Sequence, residues 1–271
     1  MNNLISIIIP VIRDMEESHL KQQLLTHLPK HEPLFSVIES SFRELTSHKQ
    51  DTELLRHFFH SWSQTNNSAM TVAGLSNRLS MLIHKNQPVA DESQLLRSIV
   101  SLNRIVDEDL AVVGKVLHSK LFYTMATTIS GDDQWLLHAY NHPDAKAFKD
   151  WKDQNSLHEK DIMLGLLTTL VHEIYTHGEV EYILPMFKNW LETTTDLSEK
   201  ERLHTLAWIS VHCGPTEKNH FFFAVNAIHH FAKAMDVNIE DYSLEEIIST
   251  YLTKKTSVMQ SVMQIESVHS S

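Results

Sequence analysis

The sequence contains few of the residues that end regular structure. Of its 271 residues, only 6 are glycine and 7 are proline. A strand-rich protein needs turn residues at intervals of about 8–12 positions, so this scarcity counts against sheet-rich folds and predicts an all-α protein. The length fits one large domain, and a hydrophobic content of 42% suffices for a sizeable core.

Cysteine and basic clusters are also scarce. The single cysteine, Cys213, cannot form an internal disulfide, which favours a reducing compartment and predicts a cytoplasmic location. The 23 basic and 34 acidic residues give a net charge of −11, and no basic stripe is present, which counts against a nucleic-acid partner. The apolar run at 4–12 contains Ser6 and Pro10 and is far shorter than the about 20 residues of a membrane span. We therefore expect no membrane partner.

Apolar residues recur at helical spacing along almost the whole chain. The pattern predicts one domain over 1–271, with an N-terminal segment at 1–30 that packs on the core and a frayed tail at 266–271. One long helix is expected over 107–129. Further helices are expected at about 157–175, 178–192, 198–211 and 215–235.

Histidine, by contrast, is abundant, with 19 residues, and three segments place it near carboxylates inside apolar helices. The first segment contains Asp107 and His118, which lie within about 20° of each other on an ideal helix, with Glu108 about 80° away. A carboxylate and an imidazole on one helix face are typical of a non-haem metal site. The alternative is an exposed acidic helix start at 107–109 that interacts with the helix dipole.

The second segment contains an acidic and histidine stripe at Glu173, His177 and Glu181, which recur every four residues between strongly apolar flanks. Such an enclosed polar stripe is costly unless it is paired or bound to a metal. The alternative is a salt-bridged stripe on the surface.

The third segment places His212, Thr216 and His220 on one helical face. Glu217 stands three residues before His220, in the Glu-x-x-His spacing that di-iron helical bundles use for neighbouring ligands. The dipeptide 214–215 is Gly-Pro and predicts a bend or bulge. The alternative is that this dipeptide only separates two helices and that the histidines are incidental.

Taken in this order, the three segments resemble the haem-oxygenase-like di-iron oxidase superfamily. The matching landmarks are the acidic run at 103–109 leading to 118–122, the Gly-x-x-Glu-x-Ile-Leu-Pro-Met-Phe core at 178–187, and the spacing of His212 and His220. The resemblance extends over roughly 30–265. It implies a haem-oxygenase-like bundle of about ten helices, seven of which form the core, with a metal site between helices.

Carried over residue by residue, the resemblance also implies a set of metal ligands. These are Glu108, His118, Glu181, His212, Glu217 and His220. Asp107 and Asp109 are rivals of Glu108, because the acidic run aligns in more than one way, and His177 is a spare candidate.

One ligand position departs from the superfamily pattern. Where the superfamily has an acidic residue four positions after the first histidine of the last motif, this sequence has Thr216, with Glu217 next to it. Either a bulge at Gly214 brings Glu217 into the site, or one ligand is missing and the second iron site is weakened.

The resemblance implies an O₂-dependent non-haem iron oxidoreductase that oxidises a small organic substrate. The implied cofactor is iron, two ions per chain when the site is complete, with manganese as the alternative metal and O₂ as the co-substrate. Four aromatic residues expected near the site suit an amphiphilic or aromatic substrate, namely Phe122, Trp208, Phe221 and Phe222. The expected partner is thus a small molecule, and a homodimer is left open.

Two other functions stay open at this point. Thr216 favours a metal-free or degenerate member of the fold that binds a small ligand, and a thiaminase-like relative with Cys213 as its nucleophile is one form of this. The net charge of −11 permits an interaction protein whose partner surface is acidic.

Overall fold

The computed structural model describes residues 3–110 and 116–265, and all regular structure in these residues is helical. The thirteen α-helices are α1 (Leu4–Arg13), α2 (His19–His27), α3 (Glu32–Leu45), α4 (Thr52–Asn66), α5 (Ala69–His84), α6 (Glu92–Asp109), α7 (His118–Ser130), α8 (Pro143–Asp153), α9 (Ile162–Thr194), α10 (Glu199–Thr205), α11 (Ala207–His212), α12 (Pro215–Met235) and α13 (Leu244–Met263). Single helical turns lie at Leu28–His31, Gln134–Leu136, His138–Tyr140, Gln154–His158 and Ile239–Asp241. The predicted all-α class is confirmed. The predicted frayed tail, 266–271, lies outside the described residues.

Helix α9 is the centre of the bundle. It is 33 residues long, and nearly every side chain from Met163 to Val180 is buried. It contacts α1, α5, α11, α12 and α13, while α12 also packs along α6. The first site segment lies on α6 and α7, which pack on α12 and α11, and these two helices contact α9. The bundle thereby brings residues from distant parts of the sequence together. No helix in the described part of the chain is long and apolar enough to cross a membrane.

Three predicted helix boundaries are wrong. The expected helix over 107–129 is two helices, because α6 ends at Asp109 and α7 begins at His118. The two helices expected at 157–175 and 178–192 are one, since α9 continues through Pro185. The helix expected at 198–211 is divided between α10 and α11.

Trp62 of α4 lies at the centre of the aromatic core. Its ring contacts six aromatic rings from five helices, those of Phe42, Phe58, Phe59, Phe122, Phe187 and Trp208. The indole nitrogen of Trp62 donates a hydrogen bond of 2.8 Å to the Glu179 carboxylate. The aromatic core therefore has a charged group at its edge.

That carboxylate belongs to a buried ion pair. The ammonium of Lys255 lies 3.0 Å from Oε2 of Glu179, and both side chains are fully buried. Asn66 and Tyr175 also donate hydrogen bonds to Glu179. Because a buried charge is tolerated only when it is paired and hydrogen-bonded, this network ties α4, α9 and α13 into one fixed arrangement.

Candidate metal centre

The three sequence segments meet in one place between α6, α7, α9, α11 and α12. We call this set of side chains the carboxylate–histidine cluster. Its members are Glu108, Asp109, His118, Glu173, His212, Glu217 and His220. Two groups of three within it have donor atoms that all lie within 4.8 Å of one another, which is the spacing at which one ion could be held.

The first group is Asp109, His118 and His212. Nδ1 of His118 lies 3.2 Å from Oδ1 of Asp109, and the rings of His118 and His212 are 4.5 Å apart. Asp109 is the last residue of α6 and His118 is the first of α7. The interruption between these two helices therefore lets the carboxylate and the imidazole face each other.

The second group is Glu173, Glu217 and His220, and all three residues are at most 2% exposed. Nδ1 of His220 lies 3.7 Å from Oε2 of Glu173 and 3.6 Å from Oε1 of Glu217. Its Nε2 is 3.1 Å from the Glu108 carboxylate. His220 is thus surrounded by three carboxylates.

Glu217 connects the two groups. The same oxygen that approaches His220 also lies 3.7 Å from Nε2 of His212. A carboxylate between two groups of ligands is the arrangement that di-iron and di-manganese helical bundles use. The two groups of donor atoms therefore lie side by side, with one oxygen of Glu217 near a histidine of each.

Two carboxylate oxygens in the cluster have no hydrogen-bond donor. Oε1 of Glu173 and Oε2 of Glu217 are buried without a partner among the described residues. An unpaired buried carboxylate oxygen is costly, and buried charges are normally paired or coordinate a metal. The donor set of imidazole and carboxylate groups is also the one that iron and manganese accept. The residues therefore fit a metal pair.

The cluster perturbs the protonation of its members. Burial, together with the neighbouring Glu217, raises the pKa of Glu173 well above its ordinary value. Burial disfavours the charged form of His220, but Glu217 and Glu108 outweigh it and raise its pKa to about 11. Protons on these two groups thus balance the charge of the carboxylates when no metal is bound, and a metal would replace them.

The imidazole ring of His212 is oriented by its own helix. Its Nδ1 lies 2.6 Å from the carbonyl oxygen of Trp208. Because a carbonyl only accepts, Nδ1 carries the hydrogen and the lone pair is on Nε2, which points to Glu217. Burial lowers the pKa of His212 despite the nearby carboxylates of Glu217 and Asp109, so the ring stays neutral. A backbone carbonyl behind a ligating imidazole is the usual outer partner of a metal-binding histidine.

Several predicted residues lie outside the cluster. The carboxylate of Glu181 is two helical turns beyond Glu173 and accepts a hydrogen bond of 2.5 Å from the backbone of Gly214. Glu181 and His177 line a separate groove together with Pro185. Asp107 is exposed on α6. The structure thus brings Glu108, His118, His212, Glu217 and His220 together but not these three.

Glu173 is the cluster residue that the sequence does not single out as a ligand. It belongs to the predicted stripe, but the motif around Glu181 favours Glu181. The missed signal is the position of Glu173 within the buried part of α9: Leu170, Val171, Ile174 and Tyr175 lie within three residues of it and are all buried. A glutamate is almost never fully buried unless it is paired.

A cavity of about 440 Å³ lies against the cluster. Four cluster residues line it, namely Asp109, His118, His212 and Glu217. Aromatic side chains in the lining are Phe122, Tyr123, Trp135 and Trp208, and polar ones include Ser63, Asn66, Asn67 and Ser68. Cavities of this size that are mostly apolar with a few polar groups are typical of small-molecule sites.

Cys213 does not line this cavity. Burial raises the pKa of its thiol to about 12, and the thiolate is the form of cysteine that acts as a nucleophile. The geometry therefore does not support the thiaminase-like alternative with Cys213 as its nucleophile.

No protein-family model and no curated protein matches the chain. Among solved structures, it is similar to a TenA homolog from Pseudomonas syringae pv. tomato str. DC3000, with a TM-score of 0.68 and 12% sequence identity. The similarity covers 91% of this chain and 93% of that chain. At this identity the likeness shows the fold alone, so the chain has a haem-oxygenase-like helical bundle fold.

Proposed function

We propose that the protein is a non-haem di-iron enzyme that uses O₂ to oxidise a small organic molecule. The observation that carries the proposal is the position of Glu217, whose one carboxylate oxygen lies 3.7 Å from His212 and 3.6 Å from His220. If the Gly-Pro dipeptide only separated two helices and the histidines were incidental, two histidines would not be expected to converge on one buried carboxylate. Two ligand groups that share this residue favour a pair of metal ions.

The chain supplies the ligands from both sides of Glu217. Asp109, His118 and His212 would hold one ion, and Glu173 and His220 would hold the other, with Glu108 beside it. Iron, when bound, supplies the one-electron and O₂ chemistry that protein side chains lack.

Neighbouring residues control the protonation of the proposed ligands and the access of water to them. Trp208 fixes the tautomer of His212, so that no proton has to leave Nε2 before it can bind a metal. Glu173 and His220 give up protons at their carboxyl and Nδ1 atoms when a cation replaces them. Phe122, Trp135 and Trp208 line the cavity and restrict water around the reacting groups.

The proposal is tested by loading the metal-free protein with Fe(II) under anaerobic conditions. We expect about two irons per chain after desalting, and uptake of O₂ when air is admitted, measured with an oxygen electrode. His212→Ala and Glu217→Ala should each retain at most about one iron, because each variant removes a ligand.

The matched control is His84→Ala, which removes an exposed histidine at the end of α5. This variant should bind iron as the unchanged protein does. Fewer than one iron per chain in the unchanged protein would contradict the proposal and favour a metal-free protein that binds a small ligand in the same cavity.

A further inference from the structure

The first turn of α12 contains Glu217 and has no side-chain cap. The N-cap residue of this helix is Gly214, which has no side chain that could accept a hydrogen bond from the first N–H groups. Glu217 is the third residue of the helix, so the first turn sets the direction of its carboxylate. Because helix ends without a cap fray more readily, the position of Glu217 needs another restraint.

The break before this helix adds freedom of its own. Gly214 has φ 71° and ψ −127°, and glycine has the least restricted backbone of all residues. Pro215 has no backbone N–H and cannot donate a hydrogen bond that would hold the break. The N–H of Gly214 is therefore the donor through which the Gly-Pro dipeptide can be fixed to a neighbouring helix.

Glu181 of α9 supplies the acceptor for this donor. The backbone N–H of Gly214 donates a hydrogen bond of 2.5 Å to Oε1 of Glu181, across 33 positions of sequence. Hydrogen bonds that an ionised carboxylate accepts are stronger than those between neutral groups. This bond therefore ties the break between α11 and α12 to the long central helix.

The tethered residue stands three positions before Glu217, whose placement is critical for the cluster. Oε1 of Glu217 lies 3.7 Å from Nε2 of His212 and 3.6 Å from Nδ1 of His220. Binding groups have to be held within about 0.5 Å of their working geometry. A shift of the first turn of α12 would change both distances at once, so it would disturb both groups of donor atoms.

We propose that Glu181 is a positioning residue: by accepting the N–H of Gly214, it holds the first turn of α12 so that Glu217 faces both histidines. The inference rests on the proposed function, because Glu217 is positioned for metal binding. Glu181 acts here as a hydrogen-bond acceptor and not as a ligand. This gives a role to the motif at 178–187, from which the cluster takes no residue.

The test measures the affinity of the metal-free protein for Co(II), whose visible absorption reports binding and coordination. Glu181→Ala removes the acceptor and should weaken Co(II) binding by about 10–100-fold, the loss typical of a residue behind a ligand. Glu181→Gln keeps an acceptor and removes only the charge, so its affinity should stay within about threefold of that of the unchanged protein. Glu192→Ala makes the alanine change at an exposed position of α9 and should leave the affinity unchanged.

A double variant separates positioning from a general loss of stability. Glu217→Ala alone should weaken Co(II) binding, because it removes a proposed ligand. If Glu181 acts through Glu217, adding Glu181→Ala to this variant should weaken binding by less than about twofold more. A general loss of stability would instead weaken binding by the same factor in both backgrounds. Circular dichroism checks that each variant is folded.

Three results would overturn the inference: unchanged Co(II) affinity in Glu181→Ala, equal losses in Glu181→Gln and Glu181→Ala, or additive losses in the double variant. Equal losses would show that Glu181 acts through its charge or as a ligand. Iron content is measured on the same preparations. If the unchanged protein binds neither iron nor Co(II), both the proposed function and this inference are wrong. If it binds metal and Glu181→Ala has no effect, only this inference is wrong.

Discussion

Glu217 reaches the cluster because the helical register is interrupted two residues after His212. Counting four residues from His212 along an unbroken helix leads to Thr216, which cannot replace a carboxylate. However, α11 ends at His212, Gly214 has φ 71° and ψ −127°, and α12 begins at Pro215. A positive φ of this kind favours glycine. The register therefore restarts, and Glu217 rather than Thr216 faces the two histidines.

The structure makes a sharp distinction between two glutamates of α9. Glu173→Gln should reduce the iron content from about two to one or fewer per chain, because it removes a carboxylate whose oxygens face His220. The loss of affinity should reach at least about 10–100-fold, the effect typical even of residues behind the ligands. The measurement is iron per chain after anaerobic loading and desalting.

Glu181→Gln is the matched control for that experiment. It makes the same chemical change two turns further along α9, where the side chain bonds to the backbone of Gly214. Its iron content should stay at about two. Loss of iron in Glu181→Gln, with retention in Glu173→Gln, would support the ligand set implied by the superfamily resemblance instead.

At the scale of elements, α9 depends on close packing against its neighbours. A Cβ at Gly165 would lie 2.9 Å from the carbonyl oxygen of Asn155 and 3.0 Å from Cα of Ser156. A Cβ at Gly178 would lie 2.6 Å from the side chain of Ile8 in α1. The first contact is with backbone, and the second is with a side chain that can rotate. Gly178 thus permits the close approach of α1.

We therefore expect Gly165→Ala to lower the free energy of unfolding by roughly 1–3 kcal/mol. Gly178→Ala should cost less. The gain in helix propensity from alanine is the same at both positions and cancels in the comparison, so the difference reports packing alone. Urea unfolding followed by circular dichroism measures both. The backbone that a Cβ at Gly165 would meet belongs to the turn at Gln154–His158. If the two variants lost equal free energy of unfolding, this turn would move as easily as the Ile8 side chain.

At the scale of the whole molecule, two buried lysines hold the end of α4 beside the cavity. Lys152 donates a hydrogen bond of 2.6 Å to the carbonyl of Asn67, and Lys255 donates to Asn66 and Thr65. Burial lowers the pKa of Lys152 to about 7, against the effect of nearby carboxylates. The charge state of one core residue thus links the stability of the molecule to pH.

The sign of this dependence follows from proton binding. An unfolded lysine has a pKa of about 10.4, so between pH 7 and 10 the unfolded chain binds a proton that the folded chain does not. The free energy of unfolding should rise with pH over this range by up to about 1.4 kcal/mol per pH unit. Lys152→Met should remove this contribution, which is measured by urea unfolding at pH 7, 8 and 9.

Lys146→Met is the control, since it removes an exposed lysine from the same helix α8. It should leave the pH dependence of stability unchanged. If Lys152→Met and the unchanged protein showed parallel curves, Lys152 would keep its ordinary protonation in the folded state.

The sequence by itself determined the helical class and most of the cluster. Few glycines and prolines, with apolar residues at helical spacing, leave no regular structure but helices. Five of the six ligands implied by the resemblance lie together in the structure: Glu108, His118, His212, Glu217 and His220. These residue types stand out in sequence because polar groups in apolar helices need a partner.

Only the tertiary structure decided which carboxylates complete the set. A helical wheel assumes that one helix continues, and both breaks, after Asp109 and at Gly214, invalidate the angles that it predicts. The selection of Glu173 over Glu181 depends on where α12 crosses α9, which no local pattern encodes. The cavity likewise arises between helices that are far apart in the chain, because packing and not sequence spacing sets their distances.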